Sequence, residues 1–135
     1  MKIDHEYLKG LLSAFESSDD VYTDITKLQE AGFDWQTPEF LFHMRLLADR
    51  GLIARTDGDY GFGFFEGIGG DGSWSVLPLR LTANGHDFLE ALRNKEVWNT
   101  VKTGFKDASI GTLVEVSKQL LNGYLQKKID SILDS

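Results

Sequence analysis

The three histidines are the first residues to test for chemistry, because imidazole serves both as a metal ligand and as a general base. His5, His43 and His86 lie far apart, and none has a second histidine four residues away, the spacing that places two ligands on one helical face. The chain also lacks the GxSxG pattern that positions a nucleophilic serine. Structural roles are therefore favoured, with His86 at a helix start and His43 in a surface pair with Glu39.

A glycine-rich stretch, GDYGFGFFEGIGGDG over residues 58–72, is the second candidate, since such loops can cradle phosphates. It lacks the GxxxxGKS/T pattern, and strand-like alternation flanks it where a dinucleotide site needs a strand followed by a helix. Asp57, Asp59 and Asp71 could meet around a calcium ion, but the EF-hand spacing is absent. We therefore expect a flexible hairpin in a protein that is not an enzyme and uses no cofactor or metal.

The arginines form the third group, because the guanidinium suits phosphate and planar bidentate contacts. All five lie between residues 37 and 95: Arg45, Arg50, Arg55, Arg80 and Arg93. Their clustering favours a phosphate-binding surface in the middle of the chain. The alternative is five scattered surface residues, with Arg45 neutralised by Asp49 one helical turn later.

Composition limits the classes of function. The 135 residues carry a net charge of −7, which disfavours binding to nucleic acid or anionic membrane by bulk charge alone. The absence of cysteine excludes disulfides and thiolate metal sites. The first residues, MKIDHEYLKGLL, carry charges and no continuous apolar run, so we expect a cytoplasmic protein without a signal peptide or membrane span.

Hydrophobic periodicity predicts two helices ahead of the glycine-rich stretch. Residues 4–15 form an amphipathic pattern with Asp4 as N-cap. Thr37 caps a second helix with Pro38 at its first position, and Gly51 ends it.

A change to twofold alternation predicts strands after that helix. We expect a short strand at 52–56, a turn at 68–73 and a return strand at 74–81, which Pro78 makes an edge strand or a bulged one. Residues 21–35 are ambiguous, and a short helix is preferred there to a small strand near their start.

Three more helices are predicted in the last third of the chain. Thr82 caps the first and Asn94 the next. The last helix runs from Ser109 to about Leu133, which is longer than a small core needs.

Helices, a hairpin and a helix opened by LTxxGxxxL follow one another in the order typical of a winged helix. We therefore predict an α+β fold, with a winged helix-turn-helix core (three helices plus a β-hairpin wing) at 1–93 and a C-terminal helical extension at 94–135, packed on the core or forming a dimer seam. LTANGHDFL at Leu81–Leu89, followed by the EVW helix, resembles a family of small prophage and bacterial winged-helix proteins of unknown function. Two further segments, TPEFLFHMRLLADRGLI and SIGTLVEVSKQLL, extend that resemblance. It implies a winged-helix fold and a phage-related context, and it assigns no activity, because none is established for the family.

Nucleic acid is the first partner that this fold predicts, with the helix at 37–50 in the major groove and the hairpin at 52–81 against the backbone. The expected contacts are four arginines and one histidine: Arg45, Arg50, Arg55, Arg80 and His43. Acidic residues in the same elements, among them Glu39 and Asp49, weaken this interpretation.

A protein partner, and no DNA, is the close alternative. Phe42 and Leu46 form an apolar pair on the outer arc of their helix, although packing beneath the hairpin or the last helix would also explain them. The acidic residues 1–36 could mimic nucleic acid toward a basic host protein. A homodimer is slightly favoured over intramolecular packing of the last helix, through Leu113, Leu120 and Tyr124.

Overall fold

Capped helices supply most of the regular structure in this computed structural model, which describes residues 1–134. The helices are α1 His5–Glu16, α2 Ile25–Glu30, α3 Pro38–Asp49, α4 Ala83–Arg93, α5 Lys95–Gly104 and α6 Ile110–Leu133. The predicted caps Asp4, Thr37, Thr82 and Asn94 are confirmed, since each side chain accepts from a backbone N–H in the first turn.

Four three-residue strands form two small antiparallel sheets. The strands are β1 Ile53–Arg55, β2 Phe64–Glu66, β3 Gly72–Trp74 and β4 Leu79–Leu81. β1 pairs with β4 to form the inner sheet. The segment 56–78 connects β1 to β4, and we call it the ribbon. Within the ribbon, farther out, β2 pairs with β3. The chain therefore has an α+β fold with six helices and small antiparallel sheets.

Thr23 extends the inner sheet on the side of β4 away from β1. Its N–H donates to the Leu79 carbonyl at 2.7 Å, and the Leu79 N–H donates to the Thr23 carbonyl at 2.8 Å. The prediction that the return strand lies at an edge is therefore wrong for β4, which has a neighbour on each side. Pro78 is tolerated because it precedes β4, in the break between β3 and β4. For residues 21–35 the sequence allowed a short helix or a small strand near their start. Both are partly right, since the β-bridge at Thr23 precedes α2.

The core forms where the apolar stripes of α1, α3 and α4 meet the inner sheet. Its largest fully buried side chains include Phe40, Leu47, Leu79 and Leu89. α5 and the first two turns of α6 belong to the same cluster, to which they contribute Val97, Trp98, Val101, Ile110 and Leu113. The segment 94–117 thus packs on the core of residues 1–93. Within residues 1–134 no helix has both the length and the apolar character needed to cross a membrane.

The glycine of the LTANG segment, Gly85, lies where two backbone segments pack closely. A Cβ at this buried position would lie 2.1 Å from the Leu52 carbonyl oxygen. The same oxygen accepts from the Thr82 N–H at 3.0 Å, and the Thr82 hydroxyl donates to the Gly51 carbonyl at 2.6 Å. The start of α4 is therefore held against the end of α3 at a distance that only glycine permits.

Candidate functional site

The surface to be tested is the outward side of α3 together with the ribbon. An aromatic cluster joins the two elements: the Trp74 ring lies 5.3 Å from the Phe40 ring, 5.7 Å from Phe62 and 5.1 Å from Phe64, measured between ring centroids. These distances are those of favourable edge and tilted aromatic pairs. The base of the ribbon is thereby fixed to α3.

Two glycines allow the ribbon to close on itself. Gly63 has a φ of 102°, and its carbonyl accepts from the Ser75 N–H at 2.8 Å. A Cβ on Gly63 would lie 2.7 Å from the Ser75 carbonyl oxygen. On the opposing strand a Cβ on Gly72 would lie 2.2 Å from the Phe64 ring, so that ring covers the glycine backbone. Gly63 and Gly72 are therefore required where the two strands of the ribbon pack closely.

His43 is not on the surface, so its predicted surface pair with Glu39 and its predicted contact with nucleic acid are wrong. Its Nδ1 donates to the Glu39 carbonyl at 2.7 Å, and its Nε2 accepts from the Asp4 N–H at 3.1 Å. Tyr7 and Phe42 pack on the ring. Burial lowers the pKa of His43, against the opposing effects of the Glu39 carbonyl and the nearby Asp4 and Glu39 carboxylates. The neutral imidazole joins α3 to the start of α1.

Two of the arginines predicted to bind nucleic acid are held by carboxylates of the ribbon. Arg45 pairs with Glu66 on β2, and not with Asp49 as the helical spacing allowed. Arg55 is largely buried and donates to both carboxylate oxygens of Asp57, at 3.0 and 2.5 Å. This contact is the main reason that the pKa of Asp57 is lowered. Both guanidinium groups are therefore already engaged.

The remaining arginines divide by position. Arg93 pairs with Glu16 at 2.7 Å, so it ties α4 to α1. Arg80 is exposed on β4 and donates to the Leu81 carbonyl at 3.2 Å, while Arg50 ends α3 beside Gly111. Within residues 1–134 neither Arg50 nor Arg80 forms an ion pair.

Phe42 and Leu46 are half-buried on the side of α3 away from the ribbon. They line a shallow depression of about 370 Å³ with Met1, Ile3 and the segment 106–110 that leads into α6. Phe42 and Leu46 are therefore partly covered by the residues before α1 and by the segment that leads into α6. The ribbon does not cover them. This pair is less available to a partner than its spacing on the helix predicts.

The predicted dimer residues lie deeper than expected. Leu113 is fully buried in the core, so the prediction that it forms a dimer interface is wrong. Leu120 is half-buried and packs against the core, and Tyr124 is half-buried. Periodicity placed the three residues on the apolar side of α6, and that side is the one that packs on the body of the protein.

The ribbon carries four exposed apolar side chains, and sequence reasoning missed all of them except Tyr60. They are Tyr60, Phe65, Ile68 and Val76, of which Ile68 and Tyr60 are almost wholly accessible to solvent. Four carboxylates lie among them: Asp57, Asp59, Glu66 and Asp71. The signal in the sequence was the placement of large apolar residues beside turn glycines, where no packing partner is expected.

In the part of the chain that the structure describes, residues 1–134, no three histidine or carboxylate groups meet as a metal site would require. Asp57 and Asp59 turn toward Arg55.

Comparisons with known proteins agree with a family whose function is not assigned. A relative from Haemophilus influenzae, named Uncharacterized protein, is 28% identical over 120 residues, which cover 89% of this chain and 92% of the relative. No solved structure matches the chain. A family model described as Hypothetical protein (DUF2513) matches residues 2–111. Because that match spans most of its length, the chain belongs to the DUF2513 family of hypothetical proteins.

Proposed function

We propose that this protein is a non-enzymatic winged-helix module that recognises a partner protein through its ribbon. Three features support the fold assignment: the order of α1, α2 and α3 before the hairpin, the Thr23 bridge on the outer side of β4, and the glycine-dependent junction at the start of α4. The resemblance of Leu81–Leu89 to phage-related winged-helix proteins adds to them.

The exposed outer half of the ribbon carries the proposal. Phe65 and Ile68 in the β2–β3 hairpin, and Tyr60 in the loop before it, leave apolar side chains in solvent. Exposed apolar area on a soluble protein commonly marks an interaction site. Aromatic and aliphatic side chains that fill a partner's pocket supply much of the binding energy in protein interfaces.

Charge indicates what kind of protein would be recognised. The ribbon holds four carboxylates and no basic side chain, and the chain as a whole has a net charge of −7. Asp57 and Asp59 face Arg55 and Glu66 pairs with Arg45, whereas Asp71 forms no ion pair among residues 1–134. Residues 1–36 add eight acidic side chains against three lysines. A partner that offers an apolar pocket with a basic rim is therefore complementary, and attraction between the opposite charges would speed the encounter.

Duplex DNA is the second candidate, because Arg80 and Arg50 are exposed cations without an ion pair among residues 1–134. Arg80 lies on β4 at the base of the ribbon, where a winged helix would approach the phosphate backbone. Two free guanidinium groups neutralise few phosphates, however, and affinity for DNA at physiological salt rises with the number neutralised. The protein partner is therefore favoured.

A photo-crosslinking amino acid at Ile68 tests the proposal in the cells that produce the protein. We expect a discrete protein adduct that a second change, Phe65→Asp, removes, because Phe65 is exposed three residues away in the same hairpin. The matched control carries the crosslinker at Val21, which is equally apolar and exposed but lies outside the ribbon. The absence of an adduct, or the same adduct from Val21, would overturn the proposal.

A DNA arm distinguishes the two candidates. Fluorescence anisotropy with duplex DNA at about 50 mM and 200 mM salt should show no saturable binding. Binding that weakens with salt and is lost in Arg80→Glu, but not in Arg93→Glu, would instead establish the second candidate. Arg93 is the suitable control because Glu16 already holds it away from this surface.

A further inference from the structure

The last helix extends beyond the body of the protein. The buried residues of α6 end at Ser117, two turns after its start. Farther along, Leu125 is 38% exposed, Ile129 49% and Leu133 75%. These values rise toward the end of the helix, as expected where the neighbouring helices stop. We call residues 125–133 the α6 tip.

The apolar residues of the tip continue a row that begins on the body. Leu121, Leu125, Ile129 and Leu133 follow one another at every fourth position, so they form one ridge along the helix. Leu121 and Leu125 also line a groove of about 400 Å³ between α4 and α6. The ridge therefore runs from this groove out to the tip without interruption.

The α4–α6 groove has an apolar floor and a rim with both signs of charge. Phe88, Ala91 and Val114 contribute to the floor. The rim carries the cations Arg50 and Lys118 and the carboxylates Asp87, Glu90 and Glu115. The tip also carries both signs, with Lys127 and Lys128 followed by Asp130. A helix of this composition can meet such a rim without an excess of like charge.

Charge along the chain limits how two copies can approach each other. Residues 1–117 hold 11 basic and 19 acidic side chains, a balance of −8, whereas residues 118–135 hold three lysines and two aspartates, a balance of +1. Two bodies at −8 repel each other strongly, whereas two α6 end segments at +1 repel each other only weakly. Antiparallel helices place the two acidic bodies at opposite ends of the pair, where the repulsion is weakest.

We propose that a second copy of this chain covers the α6 tip, with the two helices antiparallel about a twofold axis. When the ridges of two copies run antiparallel, Leu125 of one copy lies against Ile129 of the other, and Leu121 lies against Leu133. Each tip then reaches the edge of the other copy's α4–α6 groove. The contact is isologous, so it closes as a dimer and does not propagate.

Light scattering on the full chain tests the dimer. At a concentration on the order of 100 μM we expect a mass of twice 15.2 kDa, falling toward the monomer on dilution. Added salt should tighten the dimer, because it screens repulsion between the bodies and leaves the apolar ridge unaffected. A monomer throughout the dilution series, or a dimer that salt dissociates, would overturn the proposal.

Ile129→Asp should yield a monomer with unchanged helicity at the same concentration, because the carboxylate would enter the centre of the ridge. Val21→Asp is the matched control, since it removes an exposed apolar residue far from α6 and should remain dimeric. If Ile129→Asp remains dimeric, the ridge is not the interface.

Cross-linking tests the direction of the helices, because the natural chain has no cysteine. Mixing Leu125→Cys with Ile129→Cys and oxidising should form the mixed disulfide in excess over both symmetric ones. An excess of the symmetric products would indicate parallel helices and contradict the proposed arrangement.

Discussion

α3 and the ribbon both come from the arginine-containing part of the chain, yet they differ in how far other segments cover their outward side chains. On α3, His43 is buried under Tyr7 and the start of α1, while Phe42 and Leu46 are half-covered by other segments. On the ribbon Phe62, Phe64 and Trp74 pack together, whereas Phe65 and Ile68 are in solvent. An interaction surface on this protein is therefore expected on the ribbon more than on the helix.

The difference arises from how each element finds neighbours. A helix in a three-helix core has segments on several sides, so side chains on its outer arc can be covered by a chain terminus or a loop. A two-stranded hairpin that leaves the core has only itself beyond its base. The outer arc of a helical wheel is therefore a weaker indicator of exposure than distance from the core along a hairpin.

The largest expected contrast is between Phe40→Ala and Phe65→Ala. Phe40 is fully buried and packs on Trp74, so its truncation should lower the free energy of unfolding by about 3–5 kcal/mol. Phe65 is half-exposed in the outer ribbon, so its truncation should change stability by less than about 0.5 kcal/mol. Urea unfolding followed by circular dichroism measures both. Equal losses would show that the outer ribbon is packed as firmly as α3.

A smaller contrast separates the base of the ribbon from its end. Gly63→Ala and Gly69→Ala introduce a Cβ at similar φ values, 102° and 112°. Only the first Cβ meets a backbone atom, the Ser75 carbonyl oxygen at 2.7 Å. Backbone strain alone should lower the free energy of unfolding of Gly69→Ala by about 1–2 kcal/mol. In Gly63→Ala the clash should lower it by about 1–3 kcal/mol more. Equal unfolding free energies of the two variants would show that the strands do not close at Gly63.

The smallest expected effect is the pH dependence of the joint between α1 and α3. Because the pKa of His43 is lowered in the folded state, the unfolded chain binds the proton more readily. The contribution of His43 to stability should therefore be complete above the ordinary histidine pKa of about 6.5 and be lost as the pH falls below it. Protonation removes the acceptor for the Asp4 N–H, a bond worth about 1 kcal/mol.

His43→Gln, which cannot titrate in this range, provides the comparison. Between about pH 7 and pH 5 the variant should lose less stability than the natural protein, as measured by urea unfolding at each pH. An identical loss in both proteins would assign the pH dependence to other groups.

Local sequence signals predicted the helices well because capping is a local interaction. Asp4, Thr37, Thr82 and Asn94 each bond an N–H two or three residues later, so composition and spacing suffice to find them. The strands were harder: the predicted return strand 74–81 is broken before β4. Pro78, which has no N–H to donate, lies in that break, and β4 gains its second neighbour from Thr23, which is far away in the sequence.

The candidate site was less predictable than the fold. Helical spacing offered Asp49 as the partner of Arg45, but the structure pairs Arg45 with Glu66 on β2. His43 has the same polar character in the sequence whether it is exposed or buried, so only its neighbours Asp4 and Tyr7 reveal its role.

The amino-acid order alone determined where helices start, which residues form apolar stripes, and that the chain has neither cysteine chemistry nor a recognisable nucleophile pattern. Each of these follows from interactions within a few residues or from composition. The tertiary structure decided which arginines are already paired, which face of α3 is covered, and how far α6 extends beyond its neighbours. Those properties depend on contacts between segments that are distant in sequence. Side-chain periodicity does not indicate which distant segment packs against a given helix or strand.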